Sequence, residues 1–269
     1  MDIIKSIISR KKLFRDNSEK KPGRPVKHHL EDIINAIYYM LRCGCPWSLL
    51  PSGCFASIPY KTVYRYYNTF CKCNVFVETY EDILLAAYGL GYVDVSDLYI
   101  DCSYTKSIYG TDCVGRNPTD RGRRATKTSV ICTGNGIPVS CIFSPANISD
   151  AKLLEETIDY IKVPLPAKSR RYPKYMTADK GYSYGTTRRL LINRGFIPKI
   201  PYKSNSRVPV SYYEKLKSDD TGCRYIIECL FGKIDKYRRL ILRYESKIIN
   251  FSNLYHAALS QIVLNIVNN

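Results

Sequence analysis

The spacing of apolar and polar positions changes character near residue 97. Upstream of it, apolar residues recur every three or four positions, the period of an amphipathic helix. Leu30, Ile33, Ile34, Ile37 and Leu41 make one such stripe, stopped by Gly44 and Pro46. Trp47, in a short turn between Pro46 and Pro51, is expected to pack inward. A second helix restarts with Pro59 near its first position. Its Val63, Tyr66, Tyr67 and Phe70 face inward, whereas Lys61, Arg65 and Asn68 face out. Two helices around a tight turn, the second exposing basic and amide groups, predict a helix-turn-helix with Lys61 and Arg65 toward DNA.

Downstream the period shortens. Residues 97–105 read as a strand, and residues 127–143 as a hairpin of two β-branched runs around Thr133-Gly134-Asn135-Gly136. Residues 147–161 read as a helix with acids in its first turns, residues 172–182 as a strand entering a turn, 185–195 as a helix ending at Gly195, and 196–202 as another strand. Over residues 223–245 the apolar Ile227, Leu230, Phe231, Ile234, Tyr237 and Ile241 fall in one stripe. Lys233, Lys236, Arg239 and Arg243 lie roughly opposite, with Arg238 misplaced in the stripe, so one long helix is expected. A final helix covers 251–267, and 203–222 has no clear period and reads as a loop or small insertion. The order predicts an α/β fold, a mixed sheet flanked by helices, preceded by a small all-helical domain. The expected division is a basic arm at 1–28, a helical DNA-binding domain at 29–95 and an α/β domain at 96–269.

Charge sharpens this picture. The net charge is +17, but residues 29–161 hold eleven Lys/Arg against fourteen acids. The excess comes from residues 1–28, with nine basic residues against three acids, and from residues 162–250, with twenty-one against seven. Concentrated positive charge suits a polyanion such as double-stranded DNA, because each neutralised phosphate releases condensed counterions. No run of 18 apolar residues exists and the N-terminus lacks the pattern of a signal peptide, so an intracellular protein without a membrane span is expected. The eleven cysteines then read mostly as free thiols; Cys43/Cys45 and Cys71/Cys73 are C-x-C pairs that invite a zinc reading, against which no C-x-x-C occurs and no histidine stands at ligand spacing.

Three acids stand apart from the solvated charges. Asp101 closes the strand near 97, Asp179 closes the strand near 175, and Glu228 sits at the border between the apolar and basic faces of its helix. Strand ends are where sites form in α/β sheets. Hard oxygen ligands with no His or Cys among them suit Mg²⁺ or Mn²⁺, and two such ions can activate a hydroxyl and stabilise the leaving oxygen of a phosphodiester. Each acid taken singly also reads as a cap or salt-bridge partner, and Arg224 stands four residues before Glu228. The loop 115–127 gathers Arg116, Arg121, Arg123, Arg124 and Lys127 around the single acid Asp120, and following the first acidic strand it is expected beside the acids, holding the DNA backbone.

Several blocks, in order, resemble one family. "GRNPTDRGRRATKTSVICTGNGIPVSCIFSPANISDAKLLEETID", "TADKGYSYGTTRRLL" and "RYIIECLFGKIDKYRRLILRYE" are similar to the three conserved blocks of DDE transposases of the bacterial insertion-sequence type, closest to the insertion sequence 4 and 5 groups. "GRPVKHHLEDIINAIYYMLRCGCPWSLLP" followed by "KTVYRYY" resembles their N-terminal helical region, so the resemblance covers residues 22–260. It implies a ribonuclease H-like catalytic core with Asp101, Asp179 and Glu228 as ligands of two Mg²⁺ or Mn²⁺ ions. It also implies phosphodiester cleavage at the ends of a mobile element, strand transfer into target DNA, and a homodimer or larger synaptic complex. Arg224, Lys236, Arg239 and Arg243 become expected DNA contacts. A retired DNA-binding relative, or a nuclease without strand transfer, would share the same pattern. Two positions depart from the family: Thr221 replaces a tyrosine found in some relatives, and Asp235 stands where a basic residue is usual, with Lys236 next to it.

Overall fold

A computed structural model describes residues 1–11, 13, 28–51, 55, 57–167, 171–203 and 224–268. Residues 14–27 of the expected arm and nearly all of the expected insertion at 203–222 lie outside the described residues.

Eight helices and seven strands are described. Helix α1 spans Asp2–Arg10, α2 Leu30–Cys43, α3 Tyr60–Lys72 and α4 Val75–Gly89. Then come β1 (Asp97–Ser107), β2 (Gly115–Arg116), β3 (Arg124–Thr133), β4 (Pro138–Pro145), α5 (Asp150–Asp159), β5 (Lys174–Thr177), α6 (Gly185–Asn193) and β6 (Phe196–Lys199). The chain ends with α7 (Arg224–Asp235), β7 (Leu242–Arg243) and α8 (Ile248–Val267).

Three features depart from the expected pattern. The chain's first residues are not all arm: α1 turns Ile4, Ile7 and Ile8 into the core against α4. The stop of α2 is at Gly44, in left-handed backbone at φ 72°, as its lack of a Cβ allows. Yet residues 44–59 separate α2 from α3, whereas only Cys73 and Asn74 separate α3 from α4, so the tight turn follows α3 instead of preceding it. The expected long helix at 223–245 ends at Asp235 and gives way to a 3₁₀ turn (Arg238–Leu240) and β7. Arg238 in the apolar stripe was the sign of that break.

The sheet runs β2-β3-β1-β5-β6, with β4 on β3 and β7 on β1. β1, β3 and β4 are antiparallel, while β5 and β6 run parallel to β1. The sheet is mixed and flanked by helices, as the sequence pattern predicted. Its two faces are covered differently. Ser129 of β3 meets Thr157 of α5 at 2.8 Å, so α5 covers one face. Phe143, paired with Thr128, stacks edge-on against Phe251 and Tyr255 of α8, so α8 covers the other, with α7 beside it on β1 and β3. α8 also packs along α4 and α3, joining the sheet to the N-terminal helices through one continuous apolar core. No helix among the described residues is long and apolar enough to cross a membrane.

Candidate active site

Side chains on a strand alternate between faces. In β1, Cys102 pairs with Ser129 and shares its α5 face; Asp101, one residue earlier, therefore points to the face that carries α7. The Asp101 carboxylate accepts the Cys102 amide at 2.8 Å. β5 pairs with β1 in parallel, with Tyr99 opposite Thr177. Asp179 lies two residues beyond Thr177, as Asp101 does beyond Tyr99. The backbone stays extended to that point: Ala178 donates to Lys199 of β6, and Asp179 has φ −75° and ψ 178°. The two aspartates thus adjoin on neighbouring strands, on one face, both half-buried.

The turn after Asp179 is held from both sides of the sheet. Gly181 N–H donates to the Asp179 carboxylate at 2.6 Å, and a Cβ on Gly181 would stand 2.7 Å from that oxygen. Tyr182, fully buried, dips to the α5 face, where its hydroxyl meets the Cys102 thiol at 3.4 Å. Burial, with the thiol, Asp150 and Asp101 nearby, pushes the phenol well above its ordinary range and keeps it neutral. The residues next to the aspartates therefore lock to each other: Cys102 follows Asp101, and Tyr182 closes the Asp179 turn. Sequence inspection missed this pair; Tyr182 at the end of Asp-Lys-Gly-Tyr was the available signal.

Glu228 stands on α7, which lies on β1 and β3 through Ile227, Leu230 and Ile234, and its side chain is exposed. Among the described residues no three His, Cys, Asp or Glu side chains are close enough together to hold a metal ion. Asp101 and Asp179 are brought together, then, and Glu228 is on the helix over the same face without closing a three-acid cluster. The donor set itself suits a hard divalent cation. The nine described cysteines are free thiols.

The expected DNA contacts sort into three groups. Lys61 and Arg65 are exposed on α3, Lys236 is exposed just past α7, and Arg116, Arg121, Arg123 and Arg124 are exposed around the β2–β3 hairpin. The hairpin tip is ordered, with Arg121 and Gly122 in left-handed backbone at φ 49° and 72°. It is not beside the aspartates, however. β3 begins opposite the far end of β1, where Lys106 pairs with Ala125, five residues and about 17 Å along the strand from Asp101.

Three residues fail as phosphate contacts. Arg243 is fully buried, donating to Asp112, Thr126 Oγ1 and the carbonyls of Glu245 and Ser246. Arg239 is buried against Glu245 at 2.8 Å. Both were expected outside because a continuous helix was expected; the 3₁₀ turn rotates them inward. Lys127 is in β3, 2% exposed, bonded to Asp150 and the Ile148 carbonyl. Burial alone would push its ammonium down, but Asp150 and Tyr104 more than offset this, so it stays charged within the protein. Arg224 opens α7, and its side chain lies outside the described residues.

Comparison with known families now adds to this geometry. A family described as "Transposase DDE domain" matches residues 105–263, more than half of the 269 residues. The chain belongs to the DDE transposase family. The match holds Asp179 and Glu228 and begins just after Asp101. A second family, described as "Putative transposase of IS4/5 family", matches residues 10–79 of this DDE-family chain. The "Putative transposase for insertion sequence element IS402" of Burkholderia cepacia is 29% identical over 144 residues, 52% of this chain. The chain spans 63% of the length of that relative. Among solved structures, a piggyBac transposase synaptic complex with hairpin DNA aligns at a TM-score of 0.42 and 13% identity, covering 78% of this chain and 50% of that one. The catalytic domain of Mos1 mariner transposase aligns at 0.29 and 10% identity, covering 70% and 90%.

Proposed function

We propose that this DDE-family chain is a DNA transposase that binds the ends of a mobile element, cuts there and joins the freed 3′-hydroxyl to target DNA. The observation that carries the reading is the pair Asp101 and Asp179, adjoining on one sheet face beneath the helix of Glu228. In it, residues 29–95 grip DNA through Lys61 and Arg65, and residues 96–269 carry the chemistry. Asp101, Asp179 and Glu228 would hold Mg²⁺ or Mn²⁺. The bound ions supply an activated hydroxyl and charge stabilisation at the scissile phosphate. The chain's own part is to set two carboxylates rigidly, through the Cys102 and Gly181 amides and the Tyr182 anchor, and to bring a third on α7. A second copy of the chain would join two element ends in one complex.

The exposed hairpin arginines grip the DNA backbone away from the chemistry, a role supported by their distance along β1 from Asp101. The test is strand transfer: the chain is incubated with Mg²⁺, a plasmid carrying the DNA that flanks its gene, and a second target plasmid. Joined products with a short target duplication support the reading; cuts without joining favour a nuclease, and binding without cuts favours a retired relative.

A further inference from the structure

One cavity has neither aspartate in its lining. It encloses about 680 Å³ between α3 and the segment 244–250, with Trp47 and Arg239 in its wall. That volume is in the range of small-ligand sites, roughly 300–1,000 Å³. Its lining is aromatic on both sides: Tyr60, Tyr64 and Tyr67 come from α3, and Tyr244 faces them from beyond β7. Tyr60, Tyr64 and Tyr244 are 38–43% exposed, so their rings are available to stack. Lys72 and Lys247 are exposed and also belong to the lining. Lys61 and Arg65 lie on the same helix, one residue beyond Tyr60 and Tyr64.

One polar group in the wall is incompletely satisfied. Glu245 is 6% exposed; its Oε1 takes both Arg239 bonds at 2.8 and 2.9 Å, and its Oε2 has no partner. That oxygen is closed off from the open space, so Glu245 serves to hold Arg239, and the contacts left for a ligand are the rings and the lysines. Flat aromatic rings beside lysines suit a nucleotide. We infer that this cavity binds an unpaired nucleobase of the DNA held by α3, stacked on Tyr64 and Tyr244. Base–aromatic stacking tolerates many sequences because every base has a π-face, and a base out of its duplex is read by such pockets. The inference rests on the DNA-binding part of the proposed function and needs none of the cleavage chemistry.

Trp47 is the single tryptophan of the chain and packs at 4.9 Å from Tyr67 and 5.4 Å from Tyr64, so its fluorescence reports on the cavity. The full chain, without divalent metal, is titrated with a dC dodecamer and with an abasic dodecamer of equal charge, each dye-labelled for anisotropy. Quenching of Trp47 by the dC oligonucleotide alone, with five- to hundred-fold weaker binding in Tyr64→Ala and Tyr244→Ala, is the expected result. Quenching by both alike, with binding unaffected in the variants, overturns the cavity assignment and leaves the transposase reading standing. Failure of both oligonucleotides to bind overturns both the cavity and the DNA-binding premise.

Discussion

Asp101 and Asp179 occupy equivalent places on neighbouring parallel strands, each two residues past the pair Tyr99–Thr177. Parallel strands lie about 4.8 Å apart, so two carboxylates on the same face and at the same level come within reach of one cation. Two like charges so close repel, and a shared cation would offset that repulsion. The same register explains why Tyr182 matters: whatever fixes the Asp179 turn also fixes the level of the second carboxylate.

The Tyr182 anchor gives the first prediction. Tyr182→Ala removes a fully buried ring and should cost about 3–5 kcal/mol, the usual range for a large aromatic truncation. Tyr182→Phe keeps the ring and gives up only the hydroxyl that meets the Cys102 thiol, so it should fold with a loss of about 1 kcal/mol. Urea unfolding separates the two. A Phe variant as unstable as the Ala variant would mean that the hydroxyl carries the anchor.

Arg243 is predicted to be a structural cation. Arg243→Leu leaves Thr126 and several carbonyls without their donor. Stability should fall by roughly 3 kcal/mol or more, as several buried acceptors lose partners. The salt dependence of DNA binding by the folded fraction should not change. A smaller salt slope with normal stability would return Arg243 to the DNA surface.

The two exposed basic groups should behave differently. Neutralising Lys61 and Arg65 should reduce discrimination between element ends and random DNA, if α3 enters a major groove. Neutralising Arg121, Arg123 and Arg124 should weaken both about equally and flatten the salt slope by about 0.9 for each phosphate no longer neutralised. The single-turnover cleavage rate at saturating DNA should stay unchanged in the hairpin variants. A slower saturated rate would bring the hairpin into the chemistry despite its place on β1.

His256 predicts a pH dependence. It is fully buried between Tyr80 and Phe143, and burial lowers its imidazole from the ordinary 6.5 to about 4. Between those values the unfolded chain binds a proton that the folded chain does not, so stability is full above about pH 6.5 and falls as the pH drops toward 4. The slope from this group is up to about 1.4 kcal/mol per pH unit. His256→Gln should lose that part of the slope in urea titrations between pH 4.5 and 6.5. An unchanged slope would mean that the imidazole is not held neutral.

Much of this architecture was legible in the sequence because it follows from local periodicity. The stripe from Leu30 to Leu41 became α2, and the β-branched runs around Gly134 and Gly136 became β3 and β4. Asp179 was visible as an acid just past a strand end, whereas Asp101, expected to close its strand, stands mid-way along β1, which runs on to Ser107. What was not legible depends on where elements dock. Arg239 and Arg243 read as helical and outward, since nothing local shows that a 3₁₀ turn and a strand will bury them. Lys127 read as loop because its partner Asp150 lies twenty-three residues on. The α1 helix was hidden in basic composition, although Ile4, Ile7 and Ile8 carried the helical spacing. The aromatic cavity joins residues almost two hundred positions apart, and no single stretch announces it.

In the proposed reading Asp101, Asp179 and Glu228 act together on a divalent cation. Their joint action is read by nicking of an end-bearing plasmid in Mg²⁺ by Asp101→Asn, Asp179→Asn and Glu228→Gln, with gel-shift binding measured on the same proteins. Each variant should lose at least roughly a hundred-fold in cleavage, because both steps depend on the ion, while binding to the ends is retained. Cleavage that persists in two of the three variants would contradict the account.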